Sequence, residues 1–186
     1  GPPGVGKTTL AYVISQTTKG VFVDVSATTT GVAELKKLMV QARERRAYYG
    51  QRTILFVDEI QRLNKGQQDV LLPAVELGDL ILIGATTENP YFEVNAALLS
   101  RSQIYELKPL TDQDLLSLAH LALTSPQGLG TMACSLTPDA LQHLVQVANG
   151  DARVLLNTLE FAVLTTIPNA EGVREVDLPV AEEAAQ

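Results

Sequence analysis

The sequence feature that most constrains the fold is the run at residues 1–9, GPPGVGKTT. It matches the pattern G-x-x-x-x-G-K-[S/T] without a substitution. Glycines at positions 1, 4 and 6 let the backbone adopt positive φ and bring successive N–H groups close to a polyphosphate, which a side chain would block. The run therefore predicts a phosphate-binding loop, followed by a helix whose positive N-terminal end faces the phosphates.

The side chains of the same run suit a nucleoside triphosphate and its metal ion. The Lys7 ammonium would lie between the β- and γ-phosphates, and the Thr8 hydroxyl would ligate Mg²⁺. A Gly/Pro turn that caps a helix is the alternative. A loop of this kind normally follows a strand, so the sequence is expected to be truncated at its N-terminus, with that first strand missing. The residues predicted to bind the nucleotide are Gly1, Pro2, Pro3, Gly4, Val5, Gly6, Lys7, Thr8 and Thr9.

A second group of candidate residues follows a strand that is apolar on both faces, residues 53–57. Asp58 and Glu59 stand at its carboxyl end. Asp58 would hold Mg²⁺ through water, and Glu59 would orient and deprotonate the attacking water. A chance pair of acids after a strand is the alternative. Two consecutive acids at this position favour hydrolysis over binding alone.

Three further residues are candidates with weaker local signals. Thr87 follows the next apolar run, at the strand edge where open α/β sheets bind ligands. Arg101 follows a Leu-Leu-Ser run on a short predicted helix, where a lone basic residue is usually a surface ion pair. Arg153 stands two residues after Asp151, a predicted helix cap, and by default belongs to the first helical turn.

The order of predicted elements indicates an α/β domain followed by a helical one. Strands and helices alternate up to residue 109, which predicts a parallel sheet with helices on both faces. From Thr111 onward the pattern predicts helices only, so a second domain is placed at residues 110–186. Thr111, Thr137 and Asp151 are its predicted helix caps. The predicted strands are 21–25, 53–57, 80–83 and 103–107, and the predicted helices are 7–16, 32–49, 64–76, 95–100, 112–123, 138–148 and 152–165.

Composition excludes several classes of protein. With 46% hydrophobic residues in 186, the chain has enough apolar side chains for one substantial core and a smaller one. No apolar run approaches the roughly 20 residues that span a bilayer. The single cysteine, Cys134, cannot form an internal disulfide. These features predict a soluble protein of a reducing cytoplasm.

The formal charge of −7 is unevenly distributed. Residues 1–65 carry ten Lys/Arg and five Asp/Glu, whereas residues 66–186 carry four and sixteen. A basic cluster on one predicted helix could meet a phosphate backbone, and a solvated helix face is the alternative. The cluster consists of Lys36, Lys37, Arg43, Arg45 and Arg46.

Taken together, these motifs resemble those of AAA+ ATPases of the clamp-loader clade. The matching segments, beside residues 1–9, are Phe56–Ile60, Ile83–Pro90, Leu98–Arg101 and Gly150–Arg153. Within the clade, residues 52–110 most resemble the replication-associated recombination protein A family, which has a eukaryotic relative in the Werner helicase-interacting protein. The resemblance implies a P-loop NTPase core of α/β type, with an all-α lid domain after it.

The resemblance also implies roles that the residues alone leave open. Thr87 takes the sensor 1 position, Arg153 the sensor 2 position on the lid, and Arg101 the position of an arginine finger that acts on a neighbouring subunit. It implies ATP and Mg²⁺ as cofactors and a homo-oligomer, typically a tetramer. The implied partners are single-stranded, gapped or forked DNA and a single-stranded DNA-binding protein, in the nucleoid.

The sequence departs from the family pattern in two places and is shorter than the family's full length. Gln61 stands where His is usual, and Leu63 where Phe is common. The strand before Gly1 and a C-terminal assembly domain are expected to be missing. Residues 1–186 alone are therefore expected to be poorly soluble or to bind nucleotide weakly. Other activities implied by the clade are a polymerase clamp-loader subunit and a Holliday-junction branch-migration motor. A nucleotide-gated scaffold with negligible turnover is the alternative of another class.

Overall fold

The computed structural model describes all residues from 1 to 186. Their contacts divide the chain into two units. The first comprises Gly1 and Gly6–Glu106, and the second comprises Pro2–Val5 and Leu107–Gln186. None of the helices is long and apolar enough to cross a membrane.

The first unit is built on a parallel sheet of three strands in the order β1-β2-β3. These strands are β1 (Val21–Ser26), β2 (Thr53–Asp58) and β3 (Leu80–Gly84). Strand β2 is central, and all its residues except the last are buried, as a parallel strand covered on both faces should be. The predicted α/β class is confirmed.

Helices cover both faces of this sheet because β2 sends alternate side chains to opposite sides. Phe56 packs with Ala11 of the first helix, whereas Leu55 packs in a cluster with Leu35 and Leu71 of the second and third helices. A 3₁₀ turn at residues 60–62 follows β2. The helices of this unit are α1 (Lys7–Thr18), α2 (Val32–Tyr49), α3 (Lys65–Glu76), α4 (Pro90–Glu93) and α5 (Ala96–Leu99).

The strand predicted at residues 103–107 is absent, and that prediction was wrong. This segment has no regular structure, and the Ile104 and Tyr105 side chains are exposed. A strand is stable only when its backbone donors and acceptors pair with a neighbour. The sheet ends at β3, and nothing pairs with residues 103–107. A segment can therefore have strand-like composition and still lack the partner that would make it a strand.

The second unit is mainly helical, with helices α6 (Asp112–Thr124), α7 (Pro138–Ala148), α8 (Ala152–Thr165) and α9 (Leu178–Ala184). Its core includes the fully buried side chains of Leu115, Leu144, Leu155 and Leu159. The sequence predicted helices only, but two short strands also pair in parallel. They are β4 (Cys134–Leu136) and β5 (Arg174–Val176), and each is too short to show a period of two in the sequence.

The helix caps predicted in this unit are confirmed. Thr111 accepts a hydrogen bond from the Asp114 N–H, and the Asp114 carboxylate accepts one in return from the Thr111 N–H. The Thr111 hydroxyl also donates to the Asp114 carboxylate at 2.7 Å, and this hydrogen bond, together with the one from the Thr111 N–H, lowers the pKa of Asp114. Thr137 caps α7, and Asp151 caps α8. Local sequence is sufficient to place these helix starts because each cap involves residues at most three apart.

One buried polar side chain, Gln68, forms hydrogen bonds with three backbone groups of the first unit. Its Nε2 donates to the carbonyl oxygen of Leu63 at 3.0 Å and to that of Glu93 at 3.3 Å. Its Oε1 accepts from the Asn95 N–H at 2.7 Å. Gln68 therefore joins the start of α3 to the segment between α4 and α5.

Replacing Gln68 by methionine should destabilise the protein strongly. The change keeps the volume of the side chain but leaves three backbone groups without their partner, and each such group costs about 1–3 kcal/mol. We expect the free energy of unfolding to fall by about 3 kcal/mol or more in denaturant titrations. The matched control is Gln51→Met, at an exposed position. A loss below about 1 kcal/mol for Gln68→Met would contradict this role for the amide.

Candidate nucleotide-binding site

The start of α1 is placed by close packing of a small residue on the sheet. Ala11 is buried against Phe56 of β2 and against Ala85, which follows β3. Because Ala11 lies in the second turn of α1, this contact brings the first turn, with Lys7 and Thr8, to the carboxyl ends of these strands. Nucleotides bind at this edge in open parallel sheets.

The start of the loop, Gly1, is held by the segment that follows β3 and by the first turn of α1. The Gly1 nitrogen lies 3.1 Å from the carbonyl oxygen of Thr86, and the Lys7 Nζ donates to the Gly1 carbonyl oxygen at 2.8 Å. The Lys7 ammonium therefore reaches back across the loop. A cation in this position can neutralise the charge of bound phosphates.

Two glycines of the loop have the positive φ predicted from the sequence, 64° at Gly4 and 84° at Gly6. A Cβ at Gly6 would meet nothing within 4 Å, so the space beside it is open. A Cβ at Gly4 would lie 1.7 Å from Asp151 Oδ1. The two glycines are thus needed for different reasons: Gly6 for its backbone conformation alone, and Gly4 for its conformation and its contact.

In the second unit, residues 2–5 contact the start of α8. The Ala152 N–H donates to the Gly4 carbonyl oxygen at 3.1 Å. The Asp151 carboxylate beside Gly4 also caps α8, since Oδ1 accepts from the N–H groups of Arg153 and Val154 at 2.8 and 3.1 Å. The sequence predicted the cap but not the contact with the loop. Arg153 itself is exposed in the first turn of α8.

The acid predicted to hold Mg²⁺, Asp58, ends β2, and the acid predicted to be catalytic, Glu59, begins the sharp turn that follows. Glu59 has φ 50° and ψ 53°, which is the left-handed conformation, unusual for a residue with a side chain. Its N–H donates to Asp58 Oδ1 at 3.0 Å. Ala85 holds the turn in place because its N–H donates to Val57 and its carbonyl accepts from Ile60, at 2.9 and 3.0 Å.

The Glu59 carboxylate is engaged by a residue that the sequence did not predict. Arg62 Nε donates to Glu59 Oε2 in a short ion pair. The three-residue separation was the available signal, since residues i and i+3 lie on one side of a 3₁₀ turn. Arg62 therefore occupies one of the two carboxylate oxygens, Oε2.

The two departures from the family pattern lie in the same turn. Leu63 is almost completely buried in the core, where a smaller side chain than Phe is accommodated. Gln61 is partly buried, and its Oε1 atom is enclosed without a hydrogen-bond partner. Neither residue replaces a group that was predicted to be catalytic.

Thr87 lies where it was predicted, on the exposed segment that follows β3. The hydrogen bonds of this segment are made instead by Thr86, which was not predicted to be part of the site. Its carbonyl meets the Gly1 nitrogen, and its Oγ1 accepts from the Glu88 N–H at 3.0 Å. Thr86 therefore shapes the segment and leaves the Thr87 side chain free to point into solvent or toward a ligand.

Arg101 is held by its own chain and makes no contact with the two acids. Its Nη2 lies 2.6 Å from Glu76 Oε1, and its Nη1 donates to the Ala97 carbonyl and to Ser100 Oγ at 2.9 and 3.0 Å. Glu76, the last residue of α3, was not predicted as its partner. The long separation in sequence between Glu76 and Arg101 left no local signal.

The donor atoms at this edge fit Mg²⁺ chemically. Thr8 and Asp58 offer a hydroxyl and a carboxylate, both exposed, and Mg²⁺ prefers oxygen ligands while retaining several waters. The chain has no group of three or more His, Cys, Asp or Glu side chains that could hold a metal ion. A divalent ion here would therefore need oxygen atoms from phosphate and water as well.

Residues of both units match known protein families. Residues 1–110 match the model described as "ATPase family associated with various cellular activities (AAA)", and residues 130–186 match an AAA C-terminal domain. A search of solved structures finds Thermotoga maritima RuvB, a Holliday junction branch migration motor, at 23% identity and a TM-score of 0.77. That match covers 99% of this chain and 58% of the other, and at this identity it indicates a shared fold.

Curated relatives are much closer in sequence. Replication-associated recombination protein A of Haemophilus influenzae is 44% identical over 98% of this chain, and that of Bacillus subtilis is 42% identical over 100%. ATPase WRNIP1 of Dictyostelium discoideum is 45% identical over 88%. The chain spans 41% and 43% of the length of the two bacterial proteins and 18% of the third.

Alanine at the two loop glycines should destabilise the chain to different extents. Each substitution places a side chain at positive φ, at a cost of about 1–2 kcal/mol. Gly4→Ala adds a collision with the Asp151 carboxylate and should disturb the cap of α8. In unfolding titrations without nucleotide, we expect Gly4→Ala to be the less stable variant by about 1 kcal/mol or more. Equal stabilities would contradict the contact between Gly4 and Asp151.

Proposed function

Because the chain belongs to the AAA family of ATPases, we propose that it binds ATP with Mg²⁺ at residues 1–9 and hydrolyses it. We further propose that the intact protein uses this turnover to remodel DNA at replication forks, in recombination and repair. The names of the bacterial relatives support this role.

One observation carries the proposal: the loop and the two acids are attached to the same end of β3. Thr86 bonds to Gly1 of the loop, and Ala85 bonds to both sides of the turn that carries Asp58 and Glu59. A triphosphate in the loop would therefore lie beside the two carboxylates. Hydrolysis needs this proximity, because the carboxylate must reach the water that attacks the terminal phosphate.

In this proposal, each group of the chain has a separate role in ATP binding or hydrolysis. Loop N–H groups, the N-terminal end of α1 and the Lys7 ammonium bind the phosphates. Thr8 and Asp58 hold Mg²⁺, which when bound neutralises charge that develops on the phosphate oxygens. Glu59 accepts a proton from the attacking water through Oε1, the oxygen that Arg62 does not occupy. Arg62 then fixes the carboxylate's orientation.

Three residues complete the proposed site. We assign Thr87 to sensing the γ-phosphate and Arg153 to contacting nucleotide from the helical lid. Arg101 would stabilise the transition state in a neighbouring subunit, an effect worth roughly 10³ to 10⁵ in rate for arginine fingers. Its attachment to Glu76, away from the acids of its own chain, supports action on a neighbour. The intact protein would then be a homo-oligomer, with a tetramer as the proposed state.

The proposed organisation and partners follow from the same assignment. Residues 1–109 would form the nucleotide-binding core and residues 110–186 the helical lid. The substrates would be single-stranded, gapped or forked DNA, with a single-stranded DNA-binding protein as partner in the cytoplasm. Loading of a sliding clamp, or migration of a four-way junction, would instead identify a clamp-loader subunit or a branch-migration motor.

Removing the proposed base should separate hydrolysis from binding. We expect Glu59→Gln to bind a fluorescent ATP analogue normally and to release phosphate about 10²-fold to 10⁴-fold more slowly, as general-base loss predicts. Lys7→Ala should lose binding, whereas the control Glu34→Gln, an exposed acid on α2, should change neither. Phosphate release would be measured on the intact protein with no DNA and with single-stranded, gapped and forked DNA. Near-normal turnover by Glu59→Gln would disprove the assignment.

Mixing two inactive variants tests whether Arg101 acts on a neighbour. Glu59→Gln retains Arg101, and Arg101→Ala retains Glu59, so a mixed oligomer contains interfaces that have both groups. We expect each variant alone to be nearly inactive and the mixture to recover a substantial part of the activity. The control mixture combines Glu59→Gln with Lys7→Ala/Arg101→Ala, which contains no complete site and should stay inactive. No recovery in the first mixture would show that Arg101 does not act between subunits.

A further inference from the structure

Helix α2 buries one side and exposes the other, and the exposed side is both basic and aromatic. Leu35 and Ala42 are fully buried, whereas the exposed fractions are 57% for Val40 and 80% for Tyr48. On a helix, residues three, four, seven and eight apart lie on one side. The exposed side of α2, here called the α2 outer face, comprises Lys36, Lys37, Val40, Arg43 and Tyr48.

Two of the five cations in the basic cluster make contacts within the first unit. Arg45 donates to Thr53 Oγ1 at 3.3 Å, and Arg46 forms an ion pair with Asp79 at 3.1 Å. These two residues, at the side of α2 that faces the sheet, therefore stabilise the first unit.

Three cations of the basic cluster have no such role. Lys36, Lys37 and Arg43 are exposed, and none of them has an ion pair or a side-chain hydrogen bond. The two acids of α2, Glu34 and Glu44, are both exposed, and neither forms an ion pair with these cations. The fold therefore does not account for this group of positive charges.

The surroundings make the positive charge of the α2 outer face distinctive. The whole chain carries a formal charge of −7, and residues 107–186 contain three Lys/Arg against ten Asp/Glu. Residues 32–52 contain six basic and two acidic residues. A local positive surface on an acidic protein attracts polyanions to one place and repels them elsewhere.

We propose that the α2 outer face binds single-stranded DNA, an inference that rests on the proposed function at DNA. Lys36, Lys37 and Arg43 would contact phosphates, and the exposed ring of Tyr48 would stack on an unpaired base. From Lys36 to Tyr48 the helix extends about 18 Å, long enough for several nucleotides. A cationic surface with an exposed ring suits single strands, since every base has a flat face and no shaped pocket is required.

Charge and aromatic contacts can be separated by their salt dependence. We would titrate fluorescently labelled oligothymidine with the intact protein at several salt concentrations and follow anisotropy. For the variant Lys36→Gln/Lys37→Gln/Arg43→Gln, we expect binding about tenfold weaker or more, and a slope of log K against log salt that is shallower by about 2. The expected slope follows because each phosphate contact on a single strand contributes about 0.7.

The aromatic contact should behave differently. Tyr48→Ala should weaken binding about fivefold or more with an unchanged salt slope, because stacking releases no counterions. The matched control is Tyr105→Ala, a residue 77% exposed outside α2, which should bind normally. The charge control is Lys19→Gln/Lys108→Gln, which neutralises two exposed lysines outside α2. All variants should keep their thermal transition and their affinity for the ATP analogue.

The outcomes distinguish failure of this inference from failure of the proposed function. No oligothymidine, gapped or forked DNA binding by the unaltered protein would overturn both. Binding by the unaltered protein that the triple variant retains, with the same slope, would overturn the inference alone. An equal loss in the lysine control would show diffuse attraction and also overturn it. Tighter binding of polyglutamate than of oligothymidine would identify an acidic protein as the partner instead.

Discussion

Two hydrogen bonds made by the backbone of Ala85 determine where the proposed chemistry can occur. They attach the end of β3 to both sides of the turn after β2, and they hold Glu59 in a left-handed conformation. The neighbouring carbonyl of Thr86 holds the start of the phosphate-binding loop. Side chains on two different strands and a helix can act on one phosphate because backbone pairing brings these ends together. If this junction were looser, the loop could still bind phosphate, but the two acids would have no defined position beside it.

Two of the charged side chains proposed for catalysis, Glu59 and Arg101, form exposed ion pairs within the chain. Arg62 contacts Glu59, and Glu76 contacts Arg101, at partly solvated positions. Exposed ion pairs contribute little to stability, typically below about 1 kcal/mol. Such a pair can orient a group and still release it when a nucleotide or a neighbouring subunit offers a stronger partner. A buried pair would hold the same groups too firmly for that exchange.

The fold uses basic residues selectively on α2. Arg45 and Arg46 point to the sheet side and satisfy a hydroxyl, a carbonyl and a carboxylate, whereas the cations of the α2 outer face contact none of these. A charged residue on a helix can thus stabilise the fold or be available to bind a partner. Only the contacts of its side chain show which of the two applies. In the sequence, all five basic residues of the cluster looked alike.

The sequence by itself determined the local features: the loop with its two glycines at positive φ, the caps at Thr111, Thr137 and Asp151, and the α/β order of the first unit. Each depends on residues within a few positions of one another, or on a period that shows which side is buried. Tertiary structure decided the rest. Residues 103–107 have the composition of a strand but no neighbour, β4 and β5 pair although neither shows a pattern, and Gln68 and Glu76 bond to groups at least 25 residues away. A pattern of apolar and polar residues reports that a group will be buried or exposed. It does not report which distant group will meet it, because that depends on how the packed elements are arranged in space.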